Sequence, residues 1–176
     1  MKKKTNIRWL TKIVLISIVT TMLFTIASTE ILGRVGYIVA FTILIAFIVI
    51  GVIFDIIGVA VTTAQEAPFH SMASHRQRGS AESLRLIRNA DKVASFCNDV
   101  VGDVSGIVSG STAALIAARL MRDHGLVAEN LLAPLLISCA VSGLTIGGKA
   151  MGKAFAINHN VPIVLRVGKL LNFLRV

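Results

Sequence analysis

Four long apolar runs constrain this chain more than anything else in it: Ile13–Leu32, Tyr37–Thr63, Val93–Leu120 and Leu131–Ala156. Each is close to or above the length of about 20 residues with which a helix crosses a hydrocarbon core. The residues are 55% hydrophobic and only 15% charged over 176 positions, and the mean hydropathy is +0.78. That balance leaves too little polar surface for a water-soluble domain. The expected fold is an all-α integral membrane protein with four transmembrane helices, multi-pass in the cell membrane, with the lipid bilayer as its first partner.

A net charge of +9 on 18 Lys and Arg residues would suit a nucleic-acid binder if the charges formed one patch. Instead they flank the apolar runs, which is a topology signal, and no nucleic-acid partner is expected. Lys2, Lys3, Lys4, Arg8 and Lys12 precede the first run, and Arg76, Arg78, Arg85, Arg88 and Lys92 fill the connection between the second and third. Arg34, and Arg119 and Arg122 in the loop 119–130, are the sparse opposite side, while Lys153, Arg166, Lys169 and Arg175 follow on the tail. Both termini are therefore expected in the cytoplasm. The N-terminal pattern resembles a signal peptide, with Ala27 and Thr29 as a small-x-small pair, but it is read as an uncleaved first helix.

The connection from Gln65 to Asp91 is punctuated by Pro68 and Gly79 into two short helical stretches, the second opened by Ser80-x-Glu82. There Leu84, Ile87 and Ala90 share a face opposite Arg85 and Arg88. The tail repeats the pattern, with Val161, Leu165, Leu170 and Leu174 among Arg166, Lys169 and Arg175. Amphipathic juxtamembrane helices are expected, lying on lipid headgroups or packed on each other.

Polar residues inside apolar runs are the functional candidates, because a carboxylate in lipid is costly without a partner or a water-filled space. Asp55, Asp99 and Asp103 are such residues. At about 1.5 Å per residue from Lys92, Asp99 lies about 10 Å and Asp103 about 17 Å deep. With Asn98, Gly102, Ser105, Gly106 and Ser109 they form a polar stripe on one helix. The stripe reads either as an oxygen-rich site for a hard cation or as a tight helix interface built on the Gly102, Gly106, Gly110 ladder. On the fourth run Gly147-Gly148 frees backbone carbonyls, and Lys149 either snorkels outward or pairs internally, level with Asp99. Cys97 and Cys139 read as small buried hydrophobes, and His70, His75, His124 and His159 as surface residues. No nucleophile or phosphate loop stands out, so an enzyme is not expected.

Leu84-Arg85-Leu86-Ile87-Arg88-Asn89-Ala90-Asp91-Lys92-Val93 and Gly148-Lys149-Ala150-Met151-Gly152-Lys153 resemble two motifs of the CorB/CorC and cyclin-M family of magnesium and cobalt transport proteins, a juxtamembrane loop and a closing G-E-x-x-P-K. The resemblance covers residues 36–176 as a transmembrane domain of three spans plus juxtamembrane helices, with residues 1–35 as an additional N-terminal transmembrane helix. It implies divalent-cation transport or homeostasis, ion transport with magnesium first, through Asp55, Asn98, Asp99, Asp103, Ser105 and Gly148. Departures are specific. Lys149 stands where the family has a cation-holding glutamate, and Gly152 where it has proline. Asp55-Ile56-Ile57-Gly58 replaces the acidic motif, the Gly-Asn element corresponds either to Cys97-Asn98 or to Gly102-Asp103, and a protein lacking the family's cytosolic regulatory domain is expected. Lys149 could then fill the ion's place, leaving a non-transporting membrane interaction or regulatory protein. A homodimer through the glycine ladder, or a membrane-protein partner, belongs to the same set of expectations.

Overall fold

The structure, a computed structural model, describes residues 7–32, 34–123 and 132–174. Lys2, Lys3, Lys4, His124 and Arg175, named above for topology or as surface residues, lie outside them. Among the described residues all regular structure is helical: α1 Ile7–Leu32, α2 Tyr37–Thr63, α3 Glu66–Ser74, α4 Ser80–Arg88, α5 Ala90–Ala94, a π-helical segment Ser95–Gly102, α6 Asp103–Asp123, α7 Leu132–Asn158 and α8 Asn160–Leu174. Four stretches are long and apolar enough to cross a membrane: Thr11–Ile31, Tyr37–Thr63, Ala90–Asp123 and Pro134–Asn158. Their outward side chains suit lipid, with Leu23, Ile38 and Leu136 exposed by 63%, 85% and 66%. In water such a surface would aggregate.

The chain packs as two compact units, each discontinuous in sequence. The first comprises Met1–Gly51 and Asp103–Ile146. Within it α1 packs on α6, and α6 buries Val104, Ser105, Val108, Ser109, Thr112, Ala113, Ile116 and Ala117. These recur every four residues in two adjacent rows, one continuous helical face. Of its polar members, Ser109 Oγ donates to the Gly106 carbonyl at 2.9 Å, whereas the buried Thr112 hydroxyl has no hydrogen-bond partner among the described residues. Phe24 and Phe47 meet edge to face at 5.6 Å. At one end a lock joins α2 to α6. Tyr37 Oη donates to Asp123 at 2.6 Å, Arg119 donates to the Val35 carbonyl at 2.6 Å, and its guanidinium lies 5.1 Å over the Tyr37 ring.

The second unit comprises Val52–Gly102 and Gly147–Val176. Ala60, Val61, Phe69, Ala156 and Val164 form its core, surrounded by partly buried residues including Leu84, Ile87 and Val161. Pro68 sits in the first turn of α3, where its missing N–H is not needed. Gly79, at φ 84°, precedes α4, and the backbone breaks again at Asn89 and His159. Asn160 bridges two helix ends, its amide nitrogen donating to the carbonyls of Thr63 at 3.3 Å and Ile157 at 3.2 Å. Helices α4 and α8 pack directly on each other, with Ser83 Oγ donating to the Gly79 carbonyl at 2.8 Å and the Val164 carbonyl at 3.1 Å. The short helices thus pack together through one face while Leu170, Phe173 and Leu174 of α8 remain exposed.

Candidate functional site

Glycines on two helices set up the polar centre of the second unit. On α7, a Cβ at Gly148 would stand 3.1 Å from Val52, and one at Gly152 would stand 2.9 Å from Ile56. These two positions are one turn apart on each helix, so the α7 backbone lies flat against α2. That approach brings Lys149 beside Asp55. Lys149 Nζ is 3.4 Å from Asp55 Oδ2, with side chains 22% and 6% exposed, and it donates to the Gly102 carbonyl at 3.4 Å.

The π segment forms the third wall. Hydrogen bonds from residue i to i+5 align positions five apart, and Cys97 and Gly102, five apart, are both buried. A Cβ at Gly102 would stand 2.9 Å from Asp55 Oδ1, so the carboxylate rests where only hydrogen fits. At Gly58, one turn along α2 from Asp55, a side chain would collide with the Asn98 carboxamide. Asn98 Oδ1 is buried and no donor among the described residues reaches it. An amide oxygen in that state costs about 1–3 kcal/mol.

The arrangement therefore holds one carboxylate, one ammonium, one backbone carbonyl and one unsatisfied amide oxygen. Asp55 and Lys149 neutralise each other, which is what permits either to stand away from water. No family model, curated protein or solved structure matches this chain. The reading of the site therefore rests on its own geometry.

Among the residues singled out by sequence, Asp55, Asn98, Gly148 and Lys149 come together here. Asp99 is exposed on the π segment, and no ion pair joins it to Lys149 among the described residues. The amine has Asp55 as a partner instead, because the Gly148 and Gly152 contacts turn this side of α7 towards α2. Asp103 and Ser105 open α6 in the first unit, the former exposed and the latter 6% exposed. Both candidates for the Gly-Asn element take part in the centre: Asn98 through its carboxamide and Gly102 through its carbonyl. Among the described residues no three His, Cys, Asp or Glu side chains cluster. Cys97 is buried and Cys139 is exposed on α7, so only the first occupies a buried position. His70, His75 and His159 are exposed.

Three features were not foreseen from sequence. The π winding has no side-chain periodicity to announce it. Gly58 matters through a collision that only the packed helices reveal. The Tyr37–Asp123 lock joins residues 86 positions apart, and no local pattern connects them.

Proposed function

We propose that the chain is a multi-pass membrane protein, both termini cytoplasmic, built on a CorB/CorC-like plan. In it the ammonium of Lys149 takes the place of a transported cation. The observation carrying this reading is the buried contact of Lys149 Nζ with Asp55, 3.4 Å away. A hard divalent ion such as magnesium seeks about six oxygens and a surplus of negative charge. Within the second unit Asp55, Asn98 and Gly102 offer four oxygens of three kinds, and Lys149 offsets the carboxylate charge. The donor set suits an ammonium and does not suit a magnesium or cobalt ion while Lys149 lies inside. The protein then acts by binding a membrane partner or a second copy, not by conduction. A second copy is supported by Gly106 and Gly110, where among the described residues no neighbouring group beyond the local helix lies within 4 Å of a notional Cβ.

Reconstitution in vesicles loaded with a magnesium indicator tests this. The parent chain is expected to show no magnesium or cobalt flux above empty vesicles, and Lys149→Glu to gain magnesium binding by calorimetry. Robust parental flux, abolished by Asp55→Asn, would overturn it. The second reading, transport with Lys149 displaced by the arriving cation, is favoured by the unsatisfied Asn98 Oδ1, and the same flux measurement decides for it.

A further inference from the structure

Two residues in the turn joining α3 to α4 adopt left-handed backbone, Arg76 at φ 53° and Gly79 at φ 84°. A residue with a side chain takes up that conformation only where its neighbours hold it. Gly79 is pressed against α8. A Cβ at Gly79 would stand 2.5 Å from the Lys169 backbone nitrogen, and one at Gly168 would collide with Ser83 Oγ and the Gly79 carbonyl. Turn and helix are thus pressed backbone to backbone.

One result of this contact is a depression of about 850 Å³ lined by Gln77, Arg78, Lys169, Asn172 and Phe173. Among the described residues no carboxylate lines it, and α8 carries no acidic residue along its whole length. Neither Arg78 nor Lys169 is in an ion pair among the described residues. Two cations therefore line one depression, an arrangement that suits a phosphate. Around them the surface is apolar: Phe173 is 78% exposed, Leu174 71% and Leu170 59%. Cations and amides beside exposed aromatic and aliphatic groups match the boundary between lipid headgroups and acyl chains.

We propose that this depression binds the phosphate of an anionic phospholipid. Arg78 and Lys169 supply the charge, the carboxamides of Gln77 and Asn172 supply hydrogen bonds, and Phe173 lies along the upper acyl chain. This rests on the membrane reading of the chain but not on what Lys149 does.

Native mass spectrometry of the full chain in detergent tests it, with phosphatidylglycerol, phosphatidylcholine and inorganic phosphate as separate probes. Phosphatidylglycerol adducts are expected to outlast phosphatidylcholine adducts. Arg78→Gln with Lys169→Gln should weaken them by about twenty-five-fold, at about fivefold per cation. The charge-matched pair Lys153→Gln with Arg166→Gln should leave them unchanged. In the parent chain, bound phosphatidylglycerol should slow acylation of Lys169 by an amine reagent but not of Lys153, a readout that requires no variant to fold. Equal loss in both double variants, no preference for the anionic lipid, or inorganic phosphate binding as tightly as the lipid would each overturn the proposal.

Discussion

Asp55 and Lys149 each stand where a lone charge would be costly, so the two cannot be altered independently. Asp55→Asn removes this counter-charge from beside the ammonium and is expected to destabilise the protein by about 3–5 kcal/mol. Adding Lys149→Met should recover most of that loss, and denaturant titration of the three variants measures the coupling. The pair can be read as a substitute for a metal only because Gly102 and Gly58 let the carboxylate and the Asn98 carboxamide approach so closely. Gly58→Ala, which drives a methyl into Asn98, is expected to cost about 1–3 kcal/mol by overpacking. The same thermal or denaturant measurement checks it, and a neutral result would mean that Asn98 turns aside freely.

Glu66 ties one short helix to another, at 3.2 Å from His70 within α3 and 3.4 Å from Arg88 on α4. The hydrogen bond from His70, then that from Arg88 with its positive charge, hold the Glu66 carboxyl below the ordinary value of 4.5, against partial desolvation that pushes it upward. A carboxyl so lowered contributes stability in full above its unfolded value and loses it as pH falls through the folded one. The protection of α3 and α4 amides, measured relative to the intrinsic exchange rate at each pH, should therefore fall as pH drops below about 4.5, and Glu66→Gln should remove that dependence. The α4–α8 contact is less forgiving. Gly79→Ala meets both a left-handed φ and the Lys169 backbone, and should cost about 2–4 kcal/mol with faster exchange along α8.

Over the whole molecule, the four apolar stretches and the two glycine- and proline-marked short helices were legible because long apolar helices and turn chemistry leave composition signals. α2 spans Tyr37–Thr63, as its apolar run does, and α4 starts at Ser80, directly after the glycine that marks it. The candidate site was legible only in part. Counting residues from a helix end gives depth, which placed Lys149 level with Asp99, but not the direction in which a side chain points. Direction came from Gly148 and Gly152 meeting Val52 and Ile56, a contact between distant segments. Topology remains a property of the whole chain, and reporter fusions at residues 1 and 176 should both read cytoplasmic. A periplasmic or extracellular reading at either end would break the assignment.

The π segment from Ser95 to Gly102 also changes how this protein tolerates mutation. Each turn wound from i to i+5 holds more residues than an α turn, so the segment carries surplus length that the flanking helices do not. Losing one residue there can be absorbed by rewinding to α, at the expense of Asn98 and Gly102 but with Val104 and its successors kept on their buried face. Losing one within α6 rotates everything beyond it by about 100°. A scan of single-residue deletions across 90–123, read by protein abundance, should therefore show one permissive window, and it should coincide with the π segment.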